Sequence, residues 1–532
     1  MTQQPHTPAA SQPADHAAAA SPALGRAGLL AAVGLPLIVY LATVSPTVMD
    51  GDSASLSLQA YSLGLAHAPG YAVNALMGKA LTTCLPVGTH AWRANLLAAL
   101  AALVVVLVGY VLLRRWRVPA VPAVAAVWVL AFSPLFWSQA LHLNGYIVSL
   151  AWAFTTLLAL EKWAERRDMR VLAFIAALYG LVLSTHPNFA LYTPIVGLFI
   201  LAHLWRDGWK RTAGGAVVAI GAGLVGCLPW LAYSAYYLMH DPPEDIATGS
   251  LPTRLVVLLT AAKGRGDWHV YATLAYWKGQ VVRLILHTLR TLSEFSVAGV
   301  VALWRRHRAG ALLVAGFYLV QAAFATTMRN WHHFDVYRLA TYGYLGLFAG
   351  VGLAAVWQRV SKGWMRGVVC AVLVALTLGP PYAVMVAAPP SSRLGEGKLR
   401  HFRPLVPFRP HFGRSGEAAC ADALVTAGTG STLWCTWGPS TTLQFLQEVE
   451  GHDKGVEVIV TGEDDDKMAA LIARRLASSK QFFLLRDNQV RRFKWVYDTF
   501  QVEELFKAHG HTLVHLVSAR RPTDAGTTPT TP

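Results

Sequence analysis

Two carboxylates two residues apart, Asp50 and Asp52, open the segment Asp50-Gly51-Asp52-Ser53, directly after the first long apolar run of the chain. A membrane helix ending there delivers both acids to the water interface. A carboxylate held at that surface, within reach of a lipid head group, can take the proton of an attacking hydroxyl or ligate a cation. Asp52 is the candidate reactive group. Asp50 and His67, in His67-Ala68-Pro69-Gly70-Tyr71, are candidates for substrate contact, as is His186 in Thr185-His186-Pro187-Asn188. Each has a competing structural reading. Asp52 also suits the N-cap of a following helix, Asp50 suits a solvated loop, and each histidine stands near a proline that fits a helix end.

The elements around these residues can be read from their spacing. Ser53 to Ala66 has the character of a short helix with Asp52 or Ser53 as its cap, and His67-Ala68-Pro69-Gly70 breaks it, because the residue before proline avoids helical angles and glycine permits a turn. A second helix follows, with Val73, Leu76, Met77, Ala80, Leu81 and Cys84 forming an apolar stripe at helical spacing. Asn74, Lys79, Thr82 and Thr83 occupy its other face. Too short to span, it is expected to lie along the membrane interface, with Trp92-Arg93 anchoring the next span.

The chain has 532 residues, of which 54% are hydrophobic and 14% charged. Soluble domains carry about a quarter charged residues, so this composition indicates an integral membrane protein. Lys+Arg number 45 against 29 Asp+Glu, a net +16. The basic residues gather in short clusters between apolar runs, which the positive-inside rule explains without a nucleic-acid partner, and no nucleic-acid recognition motif accompanies them. The five cysteines form no zinc pattern. Cys420 and Cys435 are close enough in sequence to bridge on an oxidising side, or to act as two small apolar residues.

Residues 1–25 read as a disordered tail. The first span runs from Gly28 to about Val44, and further apolar runs start near residues 95, 120, 146, 171, 188, 213, 281, 310, 336 and 366. Together they make about eleven spans. Basic clusters such as Arg114-Arg115-Trp116-Arg117 and Arg305-Arg306-His307-Arg308 fall on alternate connections, which places those connections in the cytoplasm and the Asp50 loop outside. The expected layout is a membrane domain over 26–388, with its first outward loop at 46–94, then an extracytoplasmic α/β domain over 389–520 and a disordered end over 521–532. Within the tail, short apolar runs (Ser431–Trp437, Val456–Thr461, Gln481–Leu485, His511–Val517) alternate with helix-like Thr441–Glu450 and Asp466–Ala477.

Three blocks, Gly51-Asp52-Ser53, Tyr61 to Tyr71 (Tyr-Ser-Leu-Gly-Leu-Ala-His-Ala-Pro-Gly-Tyr) and Ala91-Trp92-Arg93-Ala94-Asn95-Leu96-Leu97, resemble the N-terminal signature of the protein O-mannosyltransferase-like membrane family, glycosyltransferase family 117, within the GT-C glycosyltransferases. Weaker likenesses continue at Phe136-Trp137 through Tyr146, at Thr185-His186-Pro187, at Asp335-Val336-Tyr337 and at Thr441 to Gly451. At Asn144-Gly145-Tyr146 the family usually has Glu-Val-Tyr, so one carboxylate is lost there. The resemblance implies a GT-C fold and a polyprenyl-phosphate-linked sugar donor, mannose by likeness. It implies a protein Ser/Thr or glycan acceptor, inversion at the sugar carbon outside the membrane, and Asp52 as general base.

A departing lipid phosphate needs cations. Arg329, His332, His333 and Arg338, flanking Asp335, are the preferred site, with Arg254, Lys263 and Arg265 in another loop. Asp241-Pro242-Pro243-Glu244-Asp245 suits a divalent cation or a solvated acidic turn. Two other functions fit parts of the chain: a transporter or flippase of lipid-linked sugars, and a non-catalytic scaffold displaying the tail. Transporters place charges at mid-membrane, whereas the acids here cluster at the ends of spans.

Overall fold

The computed structural model describes residues 22–67, 70–240, 249–260, 274–291, 293–327, 334–369, 371–373, 375, 415–460, 465–478, 480–487, 493–508 and 511–519. The membrane part begins with α1 (Pro22–Thr43), α2 (Asp52–Ser62), α3 (Ala72–Cys84), α4 (His90–Arg115), α5 (Ala120–Ala131), α6 (Pro134–Ala140), α7 (Gly145–Arg166) and α8 (Met169–Val182). Long helices Trp209–His240, Arg308–Thr327 and Leu339–Arg359 complete the bundle with several shorter ones. Among the described residues, seven helices are long and apolar enough to cross a membrane, or eight if α5 and α6, bent by 70° at Ser133-Pro134, are one broken span. The apolar runs expected near 171 and 366 form shorter helices. The run near 281 falls in helix Leu274–Thr291, where Lys278, Arg283 and Arg290 interrupt the apolar residues.

Helices of the bundle approach through small residues, as is usual in lipid, where no hydrophobic drive holds them together. A Cβ on Gly226 would lie 1.9 Å from the Ala177 carbonyl of α8, and one on Gly352 would lie 1.9 Å from the Phe295 carbonyl. Substitution at either would force the paired backbones apart. The outer surface is apolar instead: Leu30, Ile220 and Leu224 are each more than 60% exposed, as a lipid-facing belt requires.

Arg-rich connections collect at one end. Arg115, at the end of α4, reaches Glu165 at 2.5 Å and Glu161 at 3.8 Å, and His307 stands 3.5 Å from Glu161. Arg167 and Arg211 both pair with Asp207. The helices α4 and α7 run from the Asp52 loop to this basic end, and 26 residues of α4 at 1.5 Å each span roughly 39 Å.

Helix α3 turns its faces the other way from a soluble helix. Asn74 and Thr82 are buried, whereas Leu76, Met77, Ala80 and Cys84 are exposed. Asn74 Nδ2 donates to the Thr185 carbonyl at 3.0 Å, so Asn74 and Thr82 pack on the bundle beside Val73 while Leu76, Met77, Ala80 and Cys84 of the apolar stripe are left for lipid. This is the orientation of an interfacial helix.

The tail is a mixed α/β domain. Strands β1 (Thr432–Cys435), β2 (Glu457–Val460), β3 (Phe482–Asp487), β4 (Phe500–Ala508) and β5 (His511–Ala519) form one sheet in the order β2-β1-β3-β5-β4. The first three are parallel and β5 runs antiparallel to both neighbours. Helices Ser415–Ala427 and Trp437–Glu448 pack on one side of the sheet, with Leu424, Leu443 and Leu446 in one core with Leu433 and Phe483 of the strands. Cys420 and Cys435 are buried thiols, not joined in a disulfide.

The tail docks on the acidic loop. Asp50 does not project into solvent: its Oδ1 accepts from Thr442 Oγ1 at 2.7 Å and its Oδ2 faces His511 Nε2 at 3.5 Å. The Val48 amide donates to Glu417 at 2.8 Å, and Val48, Ala54, Ala91 and Phe445 share an apolar cluster. Removing the Thr442 hydroxyl as Thr442→Val leaves a partly buried carboxylate short of a donor, a loss of about 1 kcal/mol. The expected outcome is faster hydrogen exchange across residues 415–519 with the bundle unaffected. Unchanged exchange would mean that Asp50 does not hold the tail.

Candidate active site at the docked loop

Asp52 is the first residue of α2, and Gly51 caps that helix without a side-chain bond. Ser53 Oγ instead accepts from the Met49 amide at 3.3 Å. The Asp52 carboxylate is therefore not consumed as a cap. It sits at the N-terminal end of α2. The helix stops at Ser62, earlier than expected, because Leu63 turns into the left-handed region with φ 61°. The chain then returns His67 to Asp52, with His67 Nε2 3.4 Å from Asp52 Oδ1 and both side chains about 30% exposed. His67 Nδ1 is buried with no hydrogen-bond partner among the described residues.

From this pair an aromatic chain leads into the bundle. Tyr71 packs against His67 at 5.1 Å and His186 at 6.0 Å, Tyr146 against His186 at 4.6 Å, and Tyr337 against Tyr146 at 5.4 Å. Burial, with Asp52 and then Tyr337 adding to it, pushes the Tyr71 phenol well above its usual range, so it stays a hydroxyl. Burial, with His67 adding to it, lowers His186 to about 3, so it is neutral. The Asn188 amide donates to His186 Nδ1 at 3.1 Å, which puts the ring proton on Nε2.

His186 lines a small cavity with Tyr146, Ser149, Asn188, Tyr192 and Gln321. Asn188 Oδ1 is buried there without a hydrogen-bond partner among the described residues, while Gln321 is held by Tyr192 Oη at 2.9 Å and the Tyr337 carbonyl at 2.9 Å. A neutral donor and an open acceptor in an aromatic-lined space suit a ligand carrying hydroxyls. Gly145, where the family block usually has valine, makes this approach feasible: a Cβ there would lie 2.7 Å from Tyr71 Cε1 and 2.9 Å from His186 Cδ2.

Of the sequence candidates, Asp52, His67 and His186 come together, and Asp50 stands apart in the tail interface. Arg338 caps helix Leu339–Arg359, next to Tyr337 in the aromatic chain. Asp335 lies in helix Phe334–Tyr337, but its side chain is outside the described residues. Arg329, His332, His333, Lys263, Arg265 and the acidic run 241–245 are also outside them. Among the described residues, no group of three or more His, Cys, Asp or Glu is placed to hold a metal ion. Tyr71, Tyr146, Tyr337, Asn188 and Gln321 were not legible as site residues, since single aromatics and amides in apolar runs carry no spacing signal. The tail's Trp437 also joins the site, its ring at 5.3 Å and 85° to His67.

Because the folded pKa of His186 lies below the ordinary 6.5, protonation favours the unfolded chain. Its contribution leaves stability intact above 6.5 and removes it as the pH falls from 6.5 towards about 3. A His186→Gln variant should show a flatter acid dependence of thermal unfolding than the wild type. An identical dependence would place the acid-sensitive group elsewhere.

Residues 52–212 match the model of the Protein O-mannosyl-transferase TMEM260 N-terminal domain. Protein O-mannosyl-transferase TMEM260 of Mus musculus is 29% identical over 174 residues, 32% of this chain and 25% of the mouse protein. The Dictyostelium discoideum protein of the same name is 26% identical over 132 residues, 24% of this chain and 16% of its own length. The match thus spans a quarter or less of these relatives. ArnT from Cupriavidus metallidurans in its apo state superposes with a TM-score of 0.54 at 14% identity, covering 92% of this chain and 98% of ArnT. ArnT bound to undecaprenyl phosphate gives 0.55 at 14% identity over 93% and 98%. The chain is thus an integral membrane protein with the fold of ArnT, and its residues 52–212 are similar to the N-terminal domain of protein O-mannosyl-transferases.

Proposed function

We propose that the chain is an inverting membrane glycosyltransferase that moves a sugar, mannose by similarity, from a polyprenyl-phosphate carrier to a Ser/Thr hydroxyl of a protein or to a glycan, on the outer face of the cytoplasmic membrane. The observation that carries this reading is the Asp52–His67 pair at 3.4 Å, uncapped, partly open to water, and at the end of the bundle opposite the Arg-rich connections. ArnT, which shares the fold, has a structure with undecaprenyl phosphate bound, and the relatives matched over part of this chain are named O-mannosyl-transferases.

In this mechanism Asp52 accepts the proton of the acceptor hydroxyl as its oxygen attacks the anomeric carbon. The bond from that carbon to the phosphate oxygen breaks, and the lipid phosphate leaves with the electron pair. His67 fixes the orientation of the carboxylate. His186 Nε2–H and Asn188 Oδ1 hold sugar hydroxyls in the cavity beside Tyr146. Arg338, with Arg329, His332 and His333, balances the phosphate charge that grows as the bond breaks. Asp50 serves by holding the tail.

Asp52→Asn keeps the shape of the site and removes its base. With a labelled polyprenyl-phosphate sugar, the expected loss of transfer is at least about 100-fold, with the thermal stability of the wild type retained. Transfer at the wild-type rate would discard Asp52 as the base. A folded wild type that turns over no such donor but carries it across a vesicle membrane would favour transport instead.

A further inference from the structure

We propose that Trp437, supplied by the tail domain, is an acceptor-positioning residue: its indole packs against the polypeptide segment whose hydroxyl is to be modified. This deepens the proposed transferase reading and rests on it. Trp437 is the first residue of helix Trp437–Glu448. Its carbonyl accepts from Ser440 Oγ at 2.7 Å, and the carbonyl of the next residue, Gly438, accepts from the Gly51 amide at 3.3 Å. The backbone under the indole is therefore tied to the residue beside Asp52. Its ring meets His67 edge-on at 5.3 Å, so one side chain separates it from the candidate base.

Despite this anchoring, Trp437 is 43% exposed, and its indole N–H has no protein partner among the described residues. A tryptophan fixed by its backbone but left open presents an apolar face and one donor, a combination that suits a peptide plane and its carbonyl. Position separates acceptor from donor. A lipid-linked donor enters from the bundle, where Tyr146, Tyr337 and His186 stand, whereas Trp437 approaches the pair from the soluble domain. Gly51 keeps the space between them: a Cβ there, at φ +85°, would come within 3.1 Å of the indole.

The test uses the full-length protein in detergent or vesicles, polyprenyl-phosphate mannose as donor and a threonine-rich peptide as acceptor. Trp437→Ala should raise the acceptor KM by about tenfold, the upper range for one aromatic contact, and change kcat at saturating peptide by less than about threefold. Trp437→Phe should recover most of the loss, and hydrogen exchange of residues 415–519 should stay as in the wild type. An unchanged acceptor KM in Trp437→Ala overturns the inference, and so does a raised KM accompanied by a loosened tail, which assigns the effect to docking. A wild type without transfer or donor hydrolysis fails the transferase reading itself, and this inference with it.

Discussion

Gly51 sits where bundle, loop and tail meet, and its backbone is the contact on which the site depends. Its amide donates to Thr441 Oγ1 at 3.0 Å and its carbonyl accepts from the same hydroxyl at 3.2 Å. Its φ of +85° lies where side chains are strained, at a cost of roughly 1–3 kcal/mol, and Trp437 fills the space a side chain would need. On either side of it the two acids turn to different tasks. Asp50 goes into the tail, partly buried between Thr442 and His511, and Asp52 begins a helix with its carboxylate held by His67 and still wet. One residue thus separates a structural acid from the candidate reactive one.

The same opposition runs through the whole bundle. Lipid holds helices together only where small residues allow close backbone approach, as at Gly226 and Gly352, so the charged groups are driven to the two ends. One end ties Arg115, Glu161, Glu165 and His307 together. The other collects Asp52, His67, His186 and their aromatic partners. With charges sorted in this way, an enzyme working on a lipid-borne phosphate at a surface is a closer fit than a carrier, whose charges line a path through the middle.

Much of this was legible in the residues. The helical membrane class followed from composition, and the tail's class and four of its five strands followed from alternation. Strand β4 was missed because two bulges, at Gln501/Val502 and Glu504/Phe506, break its period-two pattern, and its exposed edge carries Glu503, Glu504 and Lys507. The runs near 171 and 366 form shorter helices among the described residues, because hydropathy measures apolar length and not where a helix ends. For Asp50 and Asp52, local sequence offers the same reading to both. Only the docked tail distinguishes them, through Thr442 and His511, nearly 400 and more than 400 residues away. The aromatic chain and Trp437 were hidden for the same reason: they are made by tertiary packing and have no local signature.

The most direct test of where the chemistry occurs is a structure of the intact protein with a non-hydrolysable polyprenyl-phosphonate sugar bound. The expected result places the anomeric carbon beside the Asp52 carboxylate, the sugar hydroxyls towards His186 and Asn188, and the phosphonate near Arg338. A sugar bound at the Arg115–Glu161 end, or one whose anomeric carbon lies beyond reach of any hydroxyl that Asp52 can contact, would contradict it.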